Sequence, residues 1–218
     1  MKSEFLPVHG LDGVYAAQFG KLSCVALRLL DGSLCLYSPV AGLEKTLKHQ
    51  TSELGTVSAL LAPNHYHNKG LAAHVATFPD AALYCSCAAR PRLSKITGLK
   101  FDLLDRLKEA LPDGQIFHEP HGLKTGEIWV QINSVSECAL IVTDAYSSAI
   151  QPPGTFGGNV TMLGTFPRYG VKDARTYKSW VAELLSNAAP TMLIPCHGSP
   201  VRSPNLTDQL TSRLDEVL

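Results

Sequence analysis

His65 and His67 are two imidazoles spaced two residues apart, and they follow an apolar run that ends in Pro63-Asn64. In extended backbone successive side chains alternate faces, so this spacing sends both rings to one side and turns Tyr66 back into the fold. Such a pair can grip one metal ion. A zinc site generally needs at least three protein ligands, and a catalytic one keeps a further position open for water. The chemistry would come from that water, whose pKa a bound divalent ion lowers to about 7. More candidate ligands stand further along: His121 in Glu119-Pro120-His121-Gly122, Asp144 after an apolar run, and His197 in Cys196-His197-Gly198.

The elements that must position these groups are legible from periodicity. Residues 14–19, 22–30 and 33–37 read as strands, with Asp31-Gly32 as the hairpin turn between the last two. Residues 43–54 carry helical spacing, and 56–62 form a buried strand that ends at the histidine pair. Then follow a short helix at 71–78, a strand at 81–85 and a helix at 103–111 that Pro112-Asp113-Gly114 stops. Strands at 115–118, 127–132 and 139–143 come next, the last stopping at Asp144. A helix at 174–185 with Asp173 as N-cap, a strand at 191–195 and an amphipathic helix at 206–218 close the chain. Three strand ends therefore finish in candidate ligands, which is how layered α/β folds collect a metal site at one edge.

Composition narrows the partners. The chain has 218 residues, 45% hydrophobic and 17% charged, enough to bury a core as one domain over 1–218. Nineteen basic residues balance nineteen acidic ones without long runs, so neither nucleic acid nor an anionic membrane is expected as a partner, and a small-molecule or peptide-like substrate is. The first seven residues lack the apolar core of a signal peptide, and no apolar stretch approaches spanning length, so a cytoplasmic location is expected. Six cysteines without CxxC pairs read mostly as reduced, buried small hydrophobes.

These residues, in this order over nearly the whole chain, resemble the metallo-β-lactamase superfamily. Its signature is an HxHxDH loop after a buried strand, a His in a Gly/Pro-containing loop, an Asp ending a buried strand and a C-terminal His often followed by Gly. His65 and His67, His121, Asp144 and His197 match in turn. The resemblance implies a four-layer αββα sandwich with metal at one rim. Lys69 and Gly70 stand where the pattern has Asp and His, so two ligands of a second metal are missing, and a single divalent ion, zinc or else iron, is expected. His65, His67 and His121 would hold it, with Asp144 as fourth ligand or orienter of water and His197 beside it. Lys69 would offer positive charge to an oxyanion or leaving group.

The implied activity is hydrolysis of an ester, thioester or amide-type bond. Two alternatives are a mononuclear iron sulfur dioxygenase and a non-catalytic binding protein that kept the fold. His118 competes with His121 for the middle position, Asp144 could be a strand-end cap, and His197 could fix its own loop. His9, His49 and His74 match no motif, and Cys196 beside His197 lacks the third group a nucleophile-base pair needs. The Gly/Pro-rich segment 151–169 reads as a lid, in which Arg168 could meet a substrate carboxylate.

Overall fold

The computed structural model describes residues 4–218; Met1 to Ser3, the start of the N-terminal stretch read above, lie outside the described residues. The first sheet runs in chain order: β1 (Leu6–Pro7), β2 (Val14–Phe19), β3 (Leu22–Arg28), β4 (Leu34–Tyr37), β5 (Val57–Leu61) and β6 (Ala82–Tyr84). Its first four strands pair antiparallel and its last three parallel. The β3–β4 turn forms where expected, and Asp31 Oδ1 accepts from Ser33 N at 2.9 Å and Ser33 Oγ at 2.6 Å. Helices α1 (Glu44–Leu54) and α2 (Leu71–Thr77) make the parallel crossovers.

Next come α3 (Arg90–Thr97), α4 (Asp105–Glu109), β7 (Gln115–His118), β8 (Trp129–Asn133) and β9 (Cys138–Val142). A short pair, β10 (Ser147–Ser148) and β11 (Val160–Thr161), precedes α5 (Phe166–Gly170), α6 (Ala174–Ala188), β12 (Met192–Pro195), β13 (Val201–Arg202) and α7 (Leu206–Val217). The second sheet has the order β13-β12-β9-β8-β7, with β9 and β12 parallel. Asp173 caps α6 as expected, accepting from Thr176 N.

The layers follow from strand alternation. In β4, Cys35 and Tyr37 face the second sheet, while Leu34 and Leu36 pack with Leu43 and Leu47 from the start of α1. In β9, Ala139 and Ile141 face the first sheet, whereas Leu140 and Val142 meet Tyr177 and Val181 of α6 and Leu210 of α7. A strand apolar on both faces needs cover on both, and these four layers supply it. Register then places the chemistry: Val142 pairs with Pro195 in the parallel β9–β12 ladder. Asp144 and His197 each lie two residues past that pair, so the ladder delivers them side by side.

Two helices went unread in the sequence, as did the two-residue strands β1, β10, β11 and β13. Helix α3, Arg-Pro-Arg-Leu-Ser-Lys-Ile-Thr, buries only Leu93 and so shows no apolar stripe. Helix α5 lies inside the segment expected to be a loop, starting at Phe166-Pro167 with proline in the first turn. No helix of the described residues is long and apolar enough to cross a membrane.

Candidate metal centre

Three groups converge at the rim where β5, β9 and β12 end: His67 Nε2, His197 Nε2 and one carboxylate oxygen of Asp144, with ligand atoms all within 4.8 Å of one another. His67 Nε2 lies 3.0 Å and His197 Nε2 2.9 Å from the same Asp144 Oδ1. Tetrahedral ligands about 2.0–2.1 Å from a zinc ion sit about 3.3 Å apart, so each imidazole nitrogen stands within a few tenths of an ångström of ligand spacing from the carboxylate oxygen. Two imidazoles and a carboxylate are also a donor set suited to such an ion.

Each donor is aimed by a neighbour. Asn64, fully buried, donates from Nδ2 to Asp144 Oδ2 at 2.8 Å, which leaves Oδ1 to face the imidazoles. Its Oδ1 accepts from the backbone N–H of Tyr66 at 2.8 Å and of His67 at 3.1 Å. One side chain thus shapes the histidine loop and holds the carboxylate. On the far side of His67, Nδ1 lies 2.7 Å from Ser38 Oγ. With an ion on Nε2, Nδ1–H donates to that hydroxyl and fixes the ring. Ser38 holds a left-handed conformation, φ 58°, just past β4, so its hydroxyl is set by a backbone few non-glycine residues adopt.

Burial works against ionising Asp144, but hydrogen bonds from His197 and His67 and their charges outweigh it and hold its carboxyl well below the usual range. Nearby, Glu127 is buried and moves the opposite way. Removal from water, then the charge of Asp144, pushes its pKa up from 4.5 to about 7. Its Oε1 accepts from Trp129 Nε1 at 2.9 Å.

The structure distributes the remaining expected ligands differently. The stretch 65–70 is a turn rather than extended chain, because Asn64 caps it, so the alternation rule does not apply. Tyr66 points outward at 37% exposure, and His65 is buried beside it with ring centroids 4.3 Å apart. Burial first, then the Arg92 charge, pushes the His65 pKa down to about 4, against an opposing pull from Asp144. Its Nε2 has no hydrogen-bond partner among the described residues. His65 is not among the three groups whose ligand atoms converge.

His121 is exposed and lies against Trp180 of α6, ring centroids 6.5 Å apart. A Cβ on Gly122 (φ 79°) would meet Asp173 O at 2.5 Å and Tyr177 N at 2.6 Å, so this loop is seated on α6. That seating takes His121 away from the rim. His118 serves the sheet, its Nε2 2.9 Å from Gln131 Oε1. Lys69 is exposed. At Gly70 a Cβ would strike the Pro39 carbonyl oxygen and come within 2.7 Å of Ala41 N, so this backbone has no room for the histidine of the family pattern.

A cavity of about 310 Å³ opens over Asp144, walled by Tyr66, Thr125, Leu163, Phe166 and Tyr169. Segment 151–169 thus supplies one wall through its α5 end. Lys124 pins that end: its N–H donates to Gly170 O at 2.9 Å and its Nζ to Arg168 O at 2.7 Å. Thr125 is 1% exposed, and its hydroxyl has no partner among the described residues. A larger cavity, about 590 Å³, lies by β1, β2 and Pro152-Pro153-Gly154, with none of the three converging groups in its lining.

Asn64, Ser38, Thr125 and Glu127 escaped the sequence reading. Only Asn64 left a signal, as an Asn at a strand end directly before the histidine pair.

No family model and no curated protein matches the sequence. Solved structures do match in fold. The DIM-1 metallo-β-lactamase superposes with a TM-score of 0.65 at 12% identity, covering 99% of each chain. FIM-1 from Pseudomonas aeruginosa, a metallo-β-lactamase solved in its mono-zinc form, gives 0.64 at 13% identity over 99% of this chain and 97% of that one. A histidine-to-asparagine variant of a flavo di-iron protein from Thermotoga maritima gives 0.60 at 14%, covering 96% of this chain and 61% of that one. The chain has the metallo-β-lactamase fold, the αββα sandwich that the residues resembled.

Proposed function

We propose that this protein is a metal-dependent hydrolase acting on an ester, thioester or amide-type bond of a small molecule, with one divalent ion held by His67, Asp144 and His197. The observation that carries this reading is the convergence of two imidazole nitrogens and one carboxylate oxygen at a cavity. Two histidines and a carboxylate with an open position are a known catalytic zinc set. When bound, such an ion supplies an activated water at neutral pH and polarises the carbonyl to be attacked.

The chain's own residues do the rest. Asn64 occupies Asp144 Oδ2, so Oδ1 is the oxygen that would be presented to an ion. Ser38 fixes the His67 ring. The Thr125 hydroxyl, buried and free in the cavity lining, is placed to hydrogen-bond a substrate acceptor. The closed position at Gly70 and the outward Lys69 favour a single ion. They also take Lys69 out of the catalytic role expected for it.

Metal analysis of protein purified without chelator, paired with a panel of aryl ester and thioester substrates, tests this. One zinc per chain and turnover that Asp144→Ala abolishes are expected. Stoichiometric zinc without any turnover across the panel would remove the hydrolase assignment. A second reading gains from the same donor set, because two histidines and one carboxylate with open positions also suit non-haem iron(II). Oxygen consumption with a persulfide substrate, together with one iron per chain, would select it. Protein that binds no metal after reconstitution would be the non-catalytic form of the fold.

A further inference from the structure

The larger cavity, about 590 Å³, is lined by β1 and β2, by segment 150–156 and by Ser199-Pro200, and none of the three converging groups reaches it. Its volume lies within the range of small-molecule sites, about 300–1,000 Å³. The segment is already seated. Gly157 N donates to Pro200 O at 2.7 Å, and Arg202 of β13 lies over Phe156 with Cζ 4.3 Å from the ring centroid. Leu6, Val8, Ala17, Pro152, Phe156 and Pro200 make the lining mostly apolar. Among the described residues, Glu4 and His9 are its only ionisable groups, and both are exposed.

The hydroxyls of the lining are already paired. Ser23 Oγ donates to Gly198 O at 2.9 Å, and Thr155 Oγ1 to Pro152 O at 2.7 Å. Gln18 is different: its Nε2 is buried and has no hydrogen-bond partner among the described residues. The orientation of its amide follows from a neighbour. Ser199 Oγ accepts from Gln151 N at 2.8 Å, so its own hydrogen goes to an acceptor, and Gln18 Oε1 stands 3.5 Å away. Turning the amide over would put a second donor against that hydroxyl and leave its hydrogen without an acceptor. A buried donor left unpaired is costly, so Gln18 marks the place of a ligand's acceptor. An ion would fare worse there, because no opposite charge inside would replace its hydration.

We propose that this cavity is a second small-molecule site, separate from the metal centre, that takes an uncharged and mostly apolar molecule presenting a carbonyl oxygen to Gln18 Nε2. The apolar body lies against Leu6, Phe156 and Pro200, and the single hydrogen bond sets its direction. Binding there needs no metal and stands whether or not the protein is a hydrolase.

The test uses three probes with one apolar body: para-butylacetophenone, para-butylethylbenzene, in which a methylene replaces the carbonyl, and para-butylbenzoate, which carries a charge. Each is titrated into zinc-supplemented, isotope-labelled protein and followed by amide NMR, for wild type and for Gln18→Met. In wild type the ketone should shift the Gln18 side-chain amide together with the backbone amides of Phe156 and Ser199. It should bind at least about tenfold more tightly than the carboxylate. In Gln18→Met, the affinity of the ketone relative to the hydrocarbon should fall about threefold to tenfold, the net worth of one hydrogen bond. Retained hydrocarbon binding shows that the variant's cavity is intact. No saturable binding of the ketone, a carboxylate that binds as tightly, or an unchanged ketone-to-hydrocarbon ratio in Gln18→Met would overturn the proposal. So would shifts confined to Tyr66, Thr125 and Phe166, which would put the probe in the cavity over Asp144. The wild-type shifts and the ketone-to-carboxylate ratio decide the matter even where the variant does not fold.

Discussion

Two loops of this protein look alike in sequence and end differently. Pro63-Asn64-His65-Tyr66-His67 and Glu119-Pro120-His121-Gly122 each follow a strand and each offer histidine after proline. The first brings His67 onto Asp144, and the second leaves His121 exposed against Trp180. What separates them is the anchor. Asn64 ties its loop to the carboxylate through 2.8 Å hydrogen bonds on both sides of its amide. Gly122 lets its loop press onto α6, where a Cβ would meet backbone. A histidine reaches the rim when something fixes its loop toward the partner, and its own identity is the smaller part of the signal.

The sharpest break of this comparison is Gly70→His, which writes the family histidine back into the first loop. The side chain must displace the Pro39–Ala41 backbone, so a stability loss of about 3 kcal/mol or more is expected, since overpacking alone typically costs about 1–3. No second metal should be gained. Urea denaturation and metal analysis would check both, and two ions per chain in the variant would show that the rim is more pliable than the packing around Gly70 implies.

Asn64→Leu comes next. It leaves Asp144 Oδ2 and two loop N–H groups without their partner, at a cost of about 1–3 kcal/mol for buried unsatisfied groups. Metal affinity should fall about 10–100-fold, the usual effect of removing a group that orients a ligand. Competition against a chromogenic chelator reads this directly, and an unchanged affinity would mean that Asn64 shapes the loop only.

Glu127→Gln has a smaller effect whose pH dependence is diagnostic. In the folded protein burial and Asp144 raise the Glu127 pKa from 4.5 to about 7, so across that window the unfolded chain has released a proton that the folded chain keeps. This contribution is full at low pH and is lost as pH rises through the window. Relative to wild type, metal-free Glu127→Gln should therefore gain stability between about pH 5 and about pH 8. Urea midpoints at the two ends measure it. A constant difference between the two proteins would mean that Glu127 titrates as an ordinary carboxylate.

The smallest effect belongs to the second loop. His121→Ala should change stability by no more than about 0.5 kcal/mol, as for other exposed positions. Thermal unfolding of the two proteins side by side suffices.

Much of the fold was written locally. The apolar runs of β5, β9 and β12, the Asp31-Gly32 turn and the Asp173 cap each carry their own signal, and the strand ends followed from them. Of the site, the strand ends that carry Asp144 and His197 were legible from two such runs, and the family resemblance set them at one rim, but the β9–β12 ladder that brings them together was not read from the sequence. The rest depends on contacts between distant segments. His67 reaches Asp144 across 77 positions and Asn64 across 80, and no local pattern encodes either pairing. Turn geometry, not strand alternation, decides which face His65 takes. Thr125 and Glu127 acquire meaning only from burial, and α3 and α5 carry too few apolar positions to show a period.

The central claim is that one ion is held by His67, Asp144 and His197 and that His121 has no part in holding it. Zinc titration against a chromogenic chelator, on wild type, His67→Ala and His121→Ala in parallel, tests it most directly. One ion of equal affinity in wild type and His121→Ala, with none retained by His67→Ala, is the expected result. Loss of the ion in His121→Ala would contradict the claim and return the centre to the three-histidine set that the sequence first implied.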